Sequence, residues 1–272
     1  FYSAEDNGTM YISQLNESFT NVVTPSVEGK TWSRNLVKNF REAPAPFKYN
    51  GKYYLITSGT TGWSPNPAQY HVADHILGPW TSAGDPCVGP GKETTFRSQS
   101  TFILPVKGKK DCFVYMGDRW NGAKLEESKY IWLPFRMNAD NQVNFYFFDE
   151  WDFNIFNVGT QEIKAPSGLK ISENKYGFKV LSWDKAGSNL IYYIMENGKC
   201  IGSSMSNEFP LPKRLPGRSF SYTVYARNIN GIVSPLSVAH VSTYEKSEVY
   251  KLGQIEPDFW KQDWGNIQYN VN

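Results

Sequence analysis

The chain has 272 residues and a formal net charge of +2 with histidine counted as neutral. This length fits one or two domains, and the near-neutral charge disfavours a polyanion-binding face, so we expect no nucleic-acid partner. No apolar run approaches the roughly 18 residues of a membrane helix, so we expect no membrane span. Aromatic residues make up 16% of the chain, beside 22 glycines and 16 prolines. This composition favours an all-β chain over a coiled coil, a helical bundle or a disordered tail.

The first part of the chain alternates short apolar runs with turn residues up to about residue 155. Asn50-Gly51 separates the runs 45–49 and 52–57, which predicts a β-hairpin. A similar unit begins at Gln99, 57 residues after Glu42. Antiparallel units that recur at about this period favour propeller blades, with an unrelated β-sandwich as the alternative. Other strands are predicted at 11–15, 69–73, 100–105, 112–117, 130–135 and 143–147.

The pattern changes after a predicted linker at 161–166. Short alternating runs follow, beginning at Pro166-Ser167-Gly168-Leu169 and including Trp183 and the strand Tyr222-Thr223-Val224-Tyr225-Ala226. These features resemble a fibronectin type III domain over 164–244, a β-sandwich that is a common spacer in secreted glycan-degrading enzymes. The last stretch, 248–272, resembles the start of a galactose-binding-like (NPCBM-type) module.

The cysteines and histidines of the chain do not indicate a metal site or a disulfide. The three cysteines, Cys87, Cys112 and Cys200, have unrelated spacings and form no CxxC pair, so we expect them to be free and buried. His71 and His75 share a face if they lie on one strand, but about 13 Å apart, which is too far to share a metal ion. No metal site or cofactor is therefore predicted from these residues.

The chemistry-bearing motifs follow the predicted hairpins. Glu42-Ala43-Pro44 opens one strand, and together with the Tyr53-Tyr54-Leu55 strand and Thr61-Gly62-Trp63 it resembles glycoside hydrolase family 43. That resemblance covers about residues 1–155 and narrows to the exo-β-1,3-galactanase branch through four further motifs: Gly78-Pro79-Trp80, Arg97-Ser98-Gln99-Ser100-Thr101, Asp118-Arg119-Trp120-Asn121 and Tyr130-x-Trp132-Leu133-Pro134. It implies that 1–158 forms the C-terminal blades of a five-bladed β-propeller, which removes galactose from the β-1,3-galactan of arabinogalactan.

The resemblance also implies catalytic roles. The family hydrolyses by inversion, in which a carboxylic acid protonates the leaving oxygen while a second group activates a water on the opposite face. Glu42 corresponds to the general acid, and Gln99 corresponds to a glutamine to which a base-like, water-positioning role is assigned. An amide is no strong base, but its carbonyl oxygen can orient a water.

Aromatic and polar side chains near these motifs are candidates for sugar binding. Trp63 and Trp120 are candidate stacking platforms for galactose, although packing between blades explains a tryptophan equally well. The candidate hydroxyl ligands are Thr61, Arg97 and Asn121. Trp80, Trp132 and Trp183 are expected to be structural.

One family feature is missing from this sequence. The aspartate that tunes the acid lies in an Arg-Asp-Met motif, which should precede Phe1. We therefore expect activity to depend on N-terminal blades from the same or a companion chain. Family propellers can hold a structural calcium ion, but no acidic cluster identifies a site. A polysaccharide substrate implies secretion, a periplasmic location or display at the cell surface.

Two alternatives remain open. The same fold could act on another sugar, as an arabinofuranosidase, xylosidase or galactofuranosidase. The chain could instead be an inactive carbohydrate-binding fragment.

Overall fold

The computed structural model describes residues 1–215 and 217–244. This part of the chain is all-β apart from three short 3-10 helices, which confirms the predicted class. The helices span Lys92–Thr94, Leu125–Glu127 and Phe153–Asn157. The predicted module at 248–272 lies outside the described residues.

Three antiparallel sheets and a short parallel pair form the first part of the chain. The strands are β1 (Tyr2–Ala4), β2 (Thr9–Ser13), β3 (Trp32–Asn35), β4 (Arg41–Tyr49), β5 (Lys52–Gly59), β6 (Gln69–Ala73), β7 (Thr81–Gly84), β8 (Cys87–Val88), β9 (Gln99–Pro105), β10 (Cys112–Arg119), β11 (Lys129–Arg136) and β12 (Phe145–Tyr146). The sheets are β1-β2-β3, β4-β5-β6-β7 and β9-β10-β11, and β8 pairs with β12. Each large sheet follows chain order, as consecutive hairpins dictate.

The β4–β7 sheet is covered on both faces. Leu55 packs with Ile12 of β2 in one apolar cluster, whereas Tyr54 and Ile56 pack with Phe135 of β11 in another. Because successive strand residues point to opposite faces, a strand that is buried on both faces has a continuous run of apolar residues in its sequence. The three sheets therefore pack face to face in chain order, as propeller blades do. The count of five blades stays a prediction.

The second part of the chain is a β-sandwich. Its strands are β13 (Ser167–Glu173), β14 (Lys179–Asp184), β15 (Ile191–Glu196), β16 (Lys199–Ser204), β17 (Glu208–Pro210), β18 (Ser219–Arg227) and β19 (His240–Thr243). They form the sheets β13-β14-β17 and β16-β15-β18-β19. Leu181 and Trp183 of the first sheet share a core with Tyr192 and Val224 of the second. The fibronectin type III assignment stays a prediction.

The sandwich packs directly against the first part of the chain. Ile191, Tyr193 and Ile229 share a buried apolar cluster with Val114 of β10 and Tyr146 of β12. A spacer that only linked two modules would not need this shared core, which ties the sandwich to the last of the three blade-like sheets.

A half-buried arginine reinforces that junction. Arg136 donates to Oδ1 of Asn230 at 2.7 Å and to the carbonyl oxygen of Phe156 at 2.6 Å. Asn230 in turn donates to the carbonyl oxygen of Gly159 at 2.9 Å. Buried polar groups are stable only when they are paired in this way, so these bonds fix the junction in one arrangement.

Candidate active site

Glu42 lies at a β-bulge near the start of β4. The register of β4 against β5 shifts between Glu42 and Ala45, and Ala43 adopts a left-handed conformation with φ of 52°. Such a conformation costs a non-glycine residue roughly 1 kcal/mol or more, and bulges near functional sites redirect side chains. The bulge therefore sets the direction in which the half-buried Glu42 side chain leaves the strand.

The structure brings Glu42 and Gln99 together. Gln99 is the first residue of β9, and its Nε2 donates to Oε1 of Glu42 at 2.9 Å. A second bond at the same spacing along the chain, from Ser100 Oγ to the carbonyl oxygen of Ala43 at 2.6 Å, joins the two strand starts. The repeat seen in the sequence thus places corresponding ends of two sheets side by side.

Trp120 extends this pair into a chain of three side chains. It follows β10 directly, and its indole Nε1 donates to Oε1 of Gln99 at 2.9 Å. Gln99 is therefore held from both ends of its amide, by an indole donor on one side and a carboxyl acceptor on the other.

Trp63 and Trp120 form an exposed aromatic pair beside Gln99. Their ring centroids lie 5.3 Å apart, with 57° between the ring planes. Trp63 is 53% exposed and Trp120 is 39% exposed, so neither is a core residue. Indole faces that are open to solvent next to a carboxyl group can stack on the apolar face of a sugar ring.

The three predicted hydroxyl ligands differ in how they are held. The Thr61 hydroxyl donates to the carbonyl oxygen of Ser64 at 2.6 Å and accepts from Asn66. The Asn121 carbonyl oxygen accepts from the backbone N–H of Ala123. Both side chains thus stabilise their own loops, and their sugar-binding role stays a prediction.

Arg97 is exposed and lies two residues before Gln99. It ends a run of three residues with left-handed backbone, Thr95, Phe96 and Arg97. Burial, and then the nearby positive charge of Arg97, lower the pKa of Arg119 below its ordinary value. The structure therefore brings two like charges together on the approach to β9.

Comparisons with known proteins come from solved structures, since no family model and no curated protein matches the chain. A GH43 β-1,3-galactosidase solved with galactodeoxynojirimycin is 39% identical to this chain and superposes with a TM-score of 0.52. The match covers 56% of this chain and 42% of the galactosidase. The chain is similar to GH43 β-1,3-galactosidases. A second GH43 β-1,3-galactosidase is 24% identical and superposes with a TM-score of 0.54. The match covers 90% of this chain and 49% of the galactosidase. At this identity the similarity shows a shared fold and nothing more. The chain thus spans less than half the length of either protein.

A buried polar cluster underlies the start of β4, and no sequence pattern pointed to it. Arg41 donates from Nε to the Thr57 hydroxyl at 3.0 Å and from Nη2 to the Thr57 carbonyl oxygen at 2.8 Å. The same hydroxyl lies 3.0 Å from Nε2 of His71. Burial lowers the pKa of Arg41 to about 10, and burial followed by the positive Arg41 lowers the pKa of His71 to about 4. His71 is therefore neutral at physiological pH.

We expect His71 to make stability fall in acid. The unfolded chain binds a proton at this residue below about pH 6.5, whereas the folded chain does so only near pH 4, so the free energy of unfolding falls as pH drops through that window. The full loss is about 3 kcal/mol. Urea unfolding at pH values from 7 to 4 gives the free energy of unfolding at each pH. This free energy should change less with pH in His71→Gln than in the wild type. The control variant His75→Gln, in an exposed turn, should show the wild-type pH dependence. Equal slopes for His71→Gln and wild type would contradict this expectation.

Neither a metal cluster nor a membrane helix adds to the site. Within residues 1–215 and 217–244, no three His, Cys, Asp or Glu side chains converge in a way that could hold a metal ion. In the same ranges no helix has the length and hydropathy needed to cross a membrane.

Proposed function

We propose that the chain acts as a glycoside hydrolase that removes galactose from β-1,3-galactan, the backbone of arabinogalactan. The observation that carries this proposal is the Glu42 carboxyl group, bound to Gln99 and flanked by an exposed tryptophan pair, in a relative of GH43 β-1,3-galactosidases. Cleavage of a glycosidic bond with inversion needs a carboxylic acid at the leaving oxygen and a second group that activates the water, and Glu42 and Gln99 are the candidates for these two groups.

The proposed reaction is hydrolysis with inversion. Glu42 gives its proton to the glycosidic oxygen as the bond from that oxygen to the anomeric carbon breaks. A water adds to the anomeric carbon from the opposite face, and Gln99 orients it through its carbonyl oxygen. The proton released by the water returns to Glu42 through solvent, so that the enzyme is restored.

The contact between Glu42 and Gln99 limits how Gln99 can act. Inverting glycosidases hold their two catalytic groups roughly 6.5–9.5 Å apart, which leaves room for the sugar and the water. The Gln99 amide instead lies 2.9 Å from the carboxyl oxygen of Glu42. The water is therefore proposed to bind at the other end of the amide, the carbonyl oxygen that faces Trp120, so that Gln99 keeps its bond to Glu42.

Sugar binding is assigned to residues on the rim of the site. Trp63 and Trp120 present indole faces to the apolar face of galactose, which its ring C–H groups form. Thr61, Arg97 and Asn121 are proposed to bind hydroxyl groups once the loop bonds of Thr61 and Asn121 rearrange. The polysaccharide substrate makes a secreted, periplasmic or cell-surface location part of this proposal.

Additional blades are proposed to complete the propeller, from the same or a companion chain. Part of one face of the β9-β10-β11 sheet supports this: Val114 on that face packs against the sandwich, but Phe102, Trp132 and Tyr130 are 50%, 53% and 75% exposed. Phe102 of β9 and Trp132 of β11 both pair with Met116 of β10, one on each side, so their side chains point to the same face. An apolar sheet face of this kind normally packs against another layer. Trp132, which we expected to be structural, lies on this open face.

The sandwich is proposed to be a fibronectin type III-type domain. Its seven strands in sheets of three and four, with Trp183 buried between them, support this assignment. Its role is to support the adjoining sheet, because the two share a core.

The function is tested by incubating the chain, together with the N-terminal blades that complete the propeller, with β-1,3-galactan, arabinan and xylan. Free galactose from β-1,3-galactan alone is the expected product, and proton NMR should detect its α-anomer first if the reaction inverts. Release of arabinose or xylose would select another sugar specificity. Galactan binding without product, even with the N-terminal blades of a relative supplied, would select the inactive binding fragment.

A further inference from the structure

We propose that Trp120 is a positioning residue that orients the Gln99 amide and, through it, fixes which oxygen of Glu42 carries the catalytic proton. The inference rests on the proposed function of Glu42 as the general acid. It assigns Trp120 a role besides that of a sugar platform, and it follows from the chain of bonds from Trp120 through Gln99 to Glu42.

The Trp120 indole determines which end of the Gln99 side-chain amide is the oxygen and which is the nitrogen. The nitrogen and oxygen of a glutamine side chain are told apart by their partners, and an indole N–H can only donate. Trp120 Nε1 lies 2.9 Å from one end of the Gln99 amide, so that end must be the oxygen. The amide nitrogen then faces Glu42, as the 2.9 Å bond to its Oε1 requires.

This orientation places the proton on Glu42. Gln99 Nε2 donates to Oε1 of the carboxyl group, and the carbonyl-type oxygen is the stronger hydrogen-bond acceptor of a neutral carboxylic acid. The transferable proton therefore resides on Oε2, the oxygen that Gln99 does not touch. Oε2 is then the atom that delivers the proton to the leaving oxygen.

The opposite orientation of the amide would work against catalysis. With the Gln99 oxygen turned toward Glu42, a protonated carboxyl would donate its proton to that oxygen instead of to the glycosidic oxygen. A deprotonated carboxyl would face a second acceptor with no hydrogen between them. Trp120 opposes this state, because a flipped amide would leave two donors, the indole N–H and the amide NH₂, facing each other.

Trp63 provides a matched control for this role. It lies beside Trp120, with the ring centroids 5.3 Å apart, but its indole stands outside the chain of bonds that ends at Glu42. Replacing either residue by phenylalanine keeps an aromatic face and removes one N–H group. Only Trp120→Phe removes a donor to Gln99.

The kinetic test compares Trp120→Phe and Trp63→Phe on two substrates. Galactobiose with a β-1,3 linkage needs protonation of a poor leaving group, whereas 2,4-dinitrophenyl β-galactoside does not. We expect Trp120→Phe to lower kcat on the galactobiose by about 10- to 100-fold, which is smaller than the full effect of general-acid catalysis because the acid itself remains, and to leave kcat on the activated galactoside nearly unchanged. Trp63→Phe should raise KM for both substrates and change kcat little. Equal losses on both substrates, or a Trp120→Phe effect confined to KM, would overturn the proposal.

A second measurement does not depend on activity. In nitrogen-15 NMR spectra of the full chain, the Trp120 indole N–H, assigned by its disappearance in Trp120→Phe, should resonate downfield as a hydrogen-bonded donor. It should move upfield in Gln99→Leu, while Trp63 keeps its position. Failure of the wild type to release galactose, with this shift intact, would reject the proposed function and leave the orientation of Gln99 established. A shift that is unchanged in Gln99→Leu would reject the positioning role even in an active enzyme.

Discussion

Glu42→Gln is expected to lower galactose release from β-1,3-galactan by about 10²- to 10⁴-fold, the range of general-acid catalysis. Glutamine has nearly the same shape as glutamate, and its side-chain oxygen can still accept the bond that Gln99 Nε2 donates to Glu42. It has no acidic proton for the leaving oxygen. The change therefore removes the chemistry while it keeps the contact, and initial rates of galactose release measure the loss.

The leaving group separates this explanation from general damage to the site. On 2,4-dinitrophenyl β-galactoside, which departs without protonation, Glu42→Gln should retain most of the wild-type kcat. Thermal unfolding should also stay close to that of the wild type. Glu17→Gln, an exposed carboxyl outside the site, is the matched control and should keep full activity on both substrates. Undiminished galactose release by Glu42→Gln would remove Glu42 from the role of acid.

Part of the site could be predicted because it follows from strand order. Glu42 and Gln99 begin corresponding strands 57 residues apart, and that period alone implies neighbouring positions at the same end of two sheets. The hairpin around Asn50-Gly51 was equally predictable from turn chemistry.

The remaining features depend on contacts that no local pattern specifies. The β9–β10 hairpin brings Trp120 close to Gln99, which pairs with Asp118, but a tryptophan in a sequence does not reveal whether its N–H has a partner. His71 looked like any polar residue of an alternating strand, yet it is fully buried. The shared core between the sandwich and the β9-β10-β11 sheet was missed for the same reason, since each apolar residue there is equally compatible with its own module.

Tyr193→Ala is expected to destabilise the protein by about 3–5 kcal/mol, the usual cost of removing a large buried ring. Tyr193 is 3% exposed on β15. Its ring stacks on Tyr225 with centroids 5.0 Å apart, and the Arg227 guanidinium lies 5.5 Å from its centroid. The ring also fills the space beside Gly89, where an added Cβ would lie 2.8 Å from it. Urea unfolding measures the loss.

The shared core makes a second consequence of Tyr193→Ala specific. Because Tyr193 packs in one cluster with Val114 of β10 and Tyr146 of β12, the sandwich and the adjoining sheet should unfold in one calorimetric transition in the wild type and in two in the variant. Tyr176→Ala removes a ring that is 70% exposed, and a surface change of this kind should cost less than about 0.5 kcal/mol. Two transitions already present in the wild type would mean that the sandwich is an independent spacer. A single transition in both proteins, with a loss below about 1 kcal/mol for Tyr193→Ala, would show that this ring does not couple the two parts.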